Sequence, residues 1–241
     1  MLIVTDLSYG YGAEPILDKL NVTLENGKIT CLLGPSGCGK TTLLSLLAGA
    51  LPLQEGRIES DAERPGPKMG HMTQACDLLP WLKAQDNACL AARLHPQIQQ
   101  PDKKEVHEMF EAFGLKGYEK AFPDHLSGGQ KQRLVLLRTL LSKPSLLLLD
   151  EPLGQLDASC RLSIARIVRR YVLRERAAAL VATHQLDVAV LLADTILLLG
   201  ERPARLLRSY SLTDAYSRKK TLDLLSRDLM HAFFSLSEEA A

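Results

Sequence analysis

A glycine-rich stretch that ends in lysine and threonine has the residue types and spacing of a loop that binds phosphate. The pattern G-x-x-x-x-G-K-[ST] is satisfied by Gly34, Pro35, Ser36, Gly37, Cys38, Gly39, Lys40 and Thr41. Glycines let backbone N–H groups wrap anionic oxygens, and the N-terminus of a following helix adds unpaired donors. We therefore predict a nucleotide site in which Lys40 contacts the β- and γ-phosphates, Thr41 serves Mg²⁺ and Thr42 completes the loop.

Two acidic residues at the end of an apolar run are the second chemical feature. Asp150 and Glu151 directly follow a run of four leucines, which is typical of a buried strand. The carboxyl ends of such strands are where open α/β sheets bind ligands. We expect Asp150 to hold Mg²⁺ through water and Glu151 to polarise an attacking water. A solvated strand end is the alternative, which the accompanying phosphate loop disfavours.

A third motif narrows the class of nucleotide-binding protein, since the phosphate loop alone does not separate kinases, GTPases and motor ATPases. The segment Leu126-Ser127-Gly128-Gly129-Gln130 is the signature of the ATP-binding-cassette (ABC) family, and the order of motifs resembles that family over roughly residues 2 to 210. The resemblance implies ATP and Mg²⁺ as ligands. It also implies that Ser127, Gly128, Gly129 and Gln130 contact the γ-phosphate of a nucleotide held by a second subunit.

The same resemblance assigns three further residues to the site. Tyr11 stands where the family has an aromatic that stacks on adenine, although Tyr9 competes for this role. Gln74 corresponds to the glutamine of a loop that reaches Mg²⁺ and the catalytic centre. His184 corresponds to the switch histidine near the γ-phosphate. Taken alone, each would be an ordinary turn, loop or core residue.

A tryptophan-containing segment resembles one branch of the family. The stretch from Asp77 to Leu82, followed by Asp86 and Asn87, is similar to importer ATPases for nitrate, sulfonates, taurine and thiamine-precursor pyrimidines. This implies transmembrane permease subunits, a second cassette and a periplasmic or extracellular substrate-binding protein as partners. The alternatives are an exporter ATPase, a soluble ABC ATPase outside transport, and a Trp81 that merely anchors the segment to the core.

Composition agrees with such a subunit and disfavours other classes. The 241 residues carry 29 Lys and Arg against 28 Asp and Glu, so the net charge of +1 argues against nucleic acid as a partner. The sequence has no uncharged run of 18 apolar residues, so no membrane span is predicted. The N-terminus lacks the basic and apolar regions of a secretory signal. The five scattered cysteines fit a reducing compartment. With the resemblance, this predicts a cytoplasmic protein that is peripheral at the inner face of the membrane.

Apolar runs and helical patterns alternate along most of the chain, which predicts an α/β fold. Strands are expected at Leu2–Leu7, Val22–Leu24, Lys28–Leu33, Arg57–Glu59, Met69–Thr73, Ser145–Leu149, Ala178–Thr183, Thr195–Leu199 and Arg205–Tyr210. The resemblance implies a P-loop NTPase (RecA-like) core with an N-terminal antiparallel β subdomain, formed by 1–80 and 142–212. It also implies an inserted α-helical subdomain at 81–141 that carries the signature, and a helical tail at 213–241.

Overall fold

The computed structural model describes residues 1–60, 69–96 and 98–212. Its strands are β1 (Leu2–Tyr11), β2 (Glu14–Leu24), β3 (Ile29–Leu33), β4 (Glu55–Ser60), β5 (Met69–Met72), β6 (Leu146–Asp150), β7 (Ala178–Thr183), β8 (Thr195–Leu199) and β9 (Leu206–Ser211). Its helices are α1 (Lys40–Leu47), α2 (Ala84–Ala88), α3 (Leu90–Leu94), α4 (Lys103–Ala112), α5 (Gly128–Leu141), α6 (Ala158–Glu175) and α7 (Leu186–Leu192). The predicted tail at 213–241 lies outside the described residues.

A six-stranded sheet in the order β5-β6-β7-β3-β8-β9 forms the centre of the fold. Its first five strands are parallel, and β9 pairs antiparallel with β8. Leu33 pairs with Thr183 and Asp150 with Ala182, so the carboxyl ends of β3, β7 and β6 meet at one edge. The residues that follow these three strands include all of the predicted phosphate loop, Glu151 and His184.

The central strands are apolar throughout because both faces of the sheet are covered. On β3, Cys31 and Leu33 enter a core cluster with residues of α5 and α6, whereas Leu32 enters a second cluster with α1 and the N-terminal strands. This division follows from the period of two in a strand, which sends successive side chains to opposite faces. The leucines of β6 divide in the same way.

A separate three-stranded antiparallel sheet in the order β2-β1-β4 is built from the N-terminal part of the chain. The predicted strands Leu2–Leu7 and Val22–Leu24 were too short, since β1 and β2 form a long hairpin that closes with Tyr11 opposite Glu14. Polar and glycine residues near the turn hid the pattern, and the alternation of buried residues is interrupted on β2, where Ile16 and Leu17 are both buried. The extra length carries Tyr11 out to the tip of the hairpin.

The segment between β5 and β6 is helical, and residues 82–96 and 98–141 contain no strand, as predicted. The longest of its helices, α5, buries a leucine-rich face in the main core. β5 ends at Met72 rather than at the predicted Thr73, so Gln74 lies in the bend beyond the strand. In the part of the chain that the structure describes, no helix combines the length and apolar character that crossing a membrane requires.

Candidate functional site

The phosphate loop lies between β3 and α1, at the carboxyl edge of the central sheet. Its last glycine, Gly39, has a φ of 116°, a value that side chains rarely tolerate. A Cβ at this position would lie 2.7 Å from Cδ2 of Leu17, so the packing of the hairpin on the loop also demands glycine. The backbone conformation and the packing thus both require glycine at the end of the loop.

The Lys40 side chain is buried inside this loop. Its Nζ donates hydrogen bonds to the carbonyl oxygens of Gly34 and Pro35, both at 2.8 Å. A buried ammonium needs such acceptors, because an unpaired charge away from water is costly. The arrangement holds a positive charge at the N-terminus of α1, where the helix dipole also favours an anion.

Thr41 and Asp150 come together from two different elements of the core. The Thr41 hydroxyl donates to Oδ2 of Asp150 at 2.6 Å. Burial raises the pKa of Asp150, the Thr41 hydrogen bond opposes that rise, and the adjacent Glu151 carboxylate adds to it. A hydroxyl and a desolvated carboxylate side by side are hard oxygen donors that fit Mg²⁺.

The side chain of Glu151 is fixed against the end of β7. Its Oε2 accepts a hydrogen bond from the Thr183 hydroxyl at 2.9 Å, and its Oε1 accepts one from the His184 backbone N–H at 2.9 Å. The same Oε1 lies 2.6 Å from Nδ1 of His184. Two residues that the sequence placed in the site separately are thus in direct contact, with Glu151 mostly buried and His184 half exposed.

The hairpin distinguishes between the two tyrosines that the sequence left as alternatives. Tyr9 is only 7% exposed and belongs to the core, whereas Tyr11 is 53% exposed. The two rings meet edge to face with their centres 5.2 Å apart. Of the pair, Tyr11 is the ring with a face open to a ligand, and the buried Tyr9 supports it.

Gln74 lies at the same edge of the sheet as Asp150, on the neighbouring strand end. Met72 pairs with Leu149, so the bend that carries Gln74 begins beside the acidic pair. Its side chain is exposed. Thr73 and Arg138 fix the segment that follows, since the Thr73 hydroxyl donates to Asp77 Oδ2 at 2.6 Å and Arg138 donates to the Asp77 carbonyl at 2.7 Å.

The signature residues form the N-terminus of α5 as a capping box. The Ser127 Oγ accepts from the Gln130 N–H at 3.3 Å, and Gln130 Oε1 accepts from the Ser127 N–H at 2.8 Å. A Cβ on Gly128 would lie 2.9 Å from Oε1 of Gln155, so this turn packs closely on the segment after Glu151. The structure places the signature against Gln155 rather than over the phosphate loop of the same chain.

Trp81 does not anchor the inserted helices to the core, because its side chain is 68% exposed. The anchor is Asn87, which is fully buried: its Oδ1 accepts from the Leu79 N–H at 2.8 Å and its Nδ2 donates to the carbonyls of Leu79 and Leu82. The buried amide holds the turn in which Trp81 points outward.

Two residues of the site were missed from the sequence. Arg202 donates through Nε to the carbonyl of Gly37 and pairs at 2.6 Å with Glu14 in the hairpin. It lines, with the phosphate loop, a cleft of about 360 Å³. Gln132 of α5 bonds to the backbone of Glu151. The sequence around Arg202 and Gln132 does not indicate which residues they contact. Only the tertiary fold brings these two side chains to the site.

Comparison with known proteins decides the family. The model of the ABC transporter family matches residues 17–154, which include the phosphate loop, the signature and the acidic pair. The chain belongs to the ABC transporter family. Taurine import ATP-binding proteins TauB of Escherichia coli O157:H7 and of Shigella sonnei (strain Ss046) are each 40% identical to this cassette over 219 residues, with 89% of its length and 86% of theirs covered.

Solved structures agree on the fold of the cassette. The dimeric structure of MJ0796, a bacterial ABC transporter cassette, matches with a TM-score of 0.77 at 24% identity, and covers 89% of this chain and 100% of that one. A structure described as the ATP-binding subunit of an ABC transporter matches with the same TM-score and covers 95% and 99%. The expected P-loop NTPase fold is thereby confirmed. The family match and the import ATP-binding relatives identify the chain as an ATPase subunit.

Proposed function

We propose that this cassette supplies the energy for import of a small organic sulfonate such as taurine, through a permease to which it binds. The observation that carries the proposal is the 40% identity to taurine import ATP-binding proteins over most of both chains. The sequence predicted a wider group of importers, which also carry nitrate and thiamine precursors. These compounds are therefore the competing substrates. The residue roles below form part of the same proposal.

ATP binding is assigned to the phosphate loop and the tip of the hairpin. The backbone amides from Gly34 to Thr42 surround the phosphates, and Lys40 leaves its loop carbonyls for the β- and γ-phosphate oxygens. Tyr11 stacks on adenine with the exposed face of its ring. The brace from Arg202 to Gly37 and Glu14 holds the hairpin and the loop at a fixed separation.

Mg²⁺ is assigned to the oxygens of Thr41 and Asp150, with Gln74 approaching from the neighbouring strand end. When bound, this ion neutralises charge on the β- and γ-phosphates. The hydrogen bond of 2.6 Å between Thr41 and Asp150 already holds these two metal-ligand candidates side by side. Burial raises the pKa of Asp150, and a cation bound beside this carboxylate would favour its ionised form.

Hydrolysis is assigned to Glu151 and His184. Glu151 takes a proton from the water whose oxygen attacks the γ-phosphorus, the bond from that phosphorus to the bridging oxygen breaks, and ADP and phosphate leave. His184 stabilises the charge that develops on the γ-phosphate. Oε1 of Glu151 already contacts His184 through its backbone N–H and its Nδ1, whereas Oε2 accepts one hydrogen bond, from Thr183, and has a second lone pair for the water.

A second cassette completes the site. The signature turn of one chain is assigned to the γ-phosphate bound by the other, in a head-to-tail dimer with two-fold symmetry, since reciprocal contacts suit that symmetry. ATP contacts favour the closed dimer and hydrolysis removes them. The exposed Trp81 turn is assigned to the permease, which holds the cassette at the cytoplasmic face of the membrane and receives its cargo from a substrate-binding protein.

The experiment that tests this function is transport in proteoliposomes. The cassette is reconstituted with its cognate permease and a matching binding protein, and uptake of labelled taurine, nitrate and a thiamine-precursor pyrimidine is followed with and without ATP. We expect ATP-dependent uptake of the sulfonate and stimulation of hydrolysis by the loaded binding protein. ATP-driven efflux would indicate an exporter, and co-purification with only DNA or ribosomes would overturn the transport role.

A further inference from the structure

A buried glutamine outside the predicted site residues lies between the signature and the acidic pair. Gln132 is on α5, five positions after Ser127, and is only 5% exposed. Most buried positions of this helix are leucine or valine. A polar amide among them needs partners for both of its ends, because a buried polar group without them is costly.

Both ends of the Gln132 amide bond to the backbone of the segment that follows β6. Its Nε2 donates to the carbonyl of Glu151 at 2.7 Å, and its Oε1 accepts from the Gln155 N–H at 3.0 Å. The partners fix the orientation of the amide, since a carbonyl can only accept and an N–H can only donate. Gln132 thus clamps the turn that runs from Glu151 to Gln155.

The clamped turn begins in a strained conformation. Glu151 has a φ of 48°, in the left-handed region that residues with a Cβ seldom adopt. Such strain persists only where the surroundings over-determine it. Besides Gln132, the restraints are the Glu151 N–H donating to Ala182 at 2.9 Å and the Gly154 N–H donating to the Glu151 carbonyl at 3.2 Å.

We propose that Gln132 is a positioning residue for hydrolysis, which ties the signature helix to the backbone of Glu151. The inference rests on the proposed roles of Glu151 as base and of the signature at the partner's nucleotide. In the dimer, the first residues of α5 face the ATP bound by the partner. Through Gln132, the same helix holds Glu151, the base that acts on the ATP bound by its own chain. Gln132 acts on the rate of hydrolysis and not on ATP binding, because it contacts neither the phosphate loop nor Tyr11 among the hydrogen bonds described.

Gln132→Met tests this role, since methionine keeps nearly the same shape and removes both hydrogen bonds. We expect kcat for ATP hydrolysis to fall about tenfold, because the Glu151 carbonyl and the Gln155 N–H each lose the hydrogen bond that ties the turn to α5. KM and the equilibrium affinity for ATP should stay within about twofold of wild type. The matched control is Thr139→Val, which removes a buried hydrogen bond from the same helix, to its own Val135 carbonyl, without touching Glu151.

The measurements use the cassette in complex with its permease, with melting temperatures recorded for every variant. If Gln132→Met melts below the assay temperature, Gln132→Asn replaces it, as this variant keeps an amide, shortens its reach by one methylene and adds no buried charge. An unchanged kcat, an equal loss in Thr139→Val, or a loss that lies in KM would overturn the positioning role. A wild-type complex that does not hydrolyse ATP would instead overturn the proposed function itself.

Discussion

Two helix N-termini are assigned to phosphate binding in this molecule, and they differ in how their first backbone N–H groups are capped. α1 begins after Gly39, and no described residue gives its first turn a side-chain cap. α5 begins after Ser127, and Ser127 and Gln130 cap each other's backbone N–H groups. An uncapped start leaves donors free for an anion, whereas a capping box satisfies two of them within the protein.

The difference shows which phosphate site is complete within one chain. At α1, the glycine loop, Lys40, Thr41 and Asp150 converge, and we infer that this end of the sheet binds a triphosphate without a second cassette. At α5, the capping box already occupies the N–H groups of Ser127 and Gln130, and the turn packs on Gln155. We infer that the signature adds contacts to a nucleotide that a second cassette holds.

Lys40→Ala should break the first site and give the largest effect. Removal of the buried ammonium is expected to lower hydrolysis on the order of a hundredfold or more, since donors that face developing charge contribute terms of that size. ATP affinity should fall too. Phosphate release measures the rate of hydrolysis, and an equilibrium binding assay measures the affinity for ATP. Lys104→Ala, on the exposed face of α4, is the control. A variant that keeps more than about a tenth of wild-type activity would contradict the assignment.

Tyr11→Ala sharpens the description of the same site. We expect KM for ATP to rise about tenfold with little change in kcat, because base stacking is worth on the order of 1–3 kcal/mol. Inorganic tripolyphosphate serves as the matched probe, since it binds the phosphate loop and has no base to stack. Equal weakening of ATP and tripolyphosphate would show that Tyr11 supports the hairpin instead of binding adenine.

Ser127→Ala addresses the second site and should have the smallest effect. Loss of one hydrogen bond to the partner's γ-phosphate is expected to lower kcat about fivefold. Binding of ATP to the isolated cassette should not change, because the phosphate loop of the same chain is intact. Titration with ATP at low protein concentration checks this, and a weaker affinity there would mean that the signature serves its own chain's nucleotide.

Sequence reasoning found the residues that lie in contiguous motifs. The phosphate loop, the acidic pair and Ser127 each follow or open an element that could be predicted from the sequence. For the phosphate loop and the acidic pair, the place at the sheet edge could be predicted as well. The long hairpin could not, since its tip is polar and glycine-rich. The distinction between Tyr9 and Tyr11 needed the register of β1, which decides which ring is buried.

Contacts between distant parts of the chain were beyond such reasoning. Arg202 reaches Gly37 and Glu14 only because β8 ends beside β3, and no local pattern states that neighbourhood. In the sequence, Gln132 is indistinguishable from the other polar residues of its helix. Its role appears only in the structure, where the turn after Glu151 packs against it. The contact between Glu151 and His184 likewise depends on β6 pairing with β7.

The most direct test of the two-site account is the mass of the cassette with ATP and Mg²⁺ when hydrolysis is blocked. Glu151→Gln keeps the shape of the side chain and removes the base, so ATP should stay bound. Light scattering coupled to size exclusion should then show twice the monomer mass with ATP and the monomer mass with ADP. A variant that remains monomeric with ATP bound, or that still hydrolyses ATP at the wild-type rate, would contradict the account.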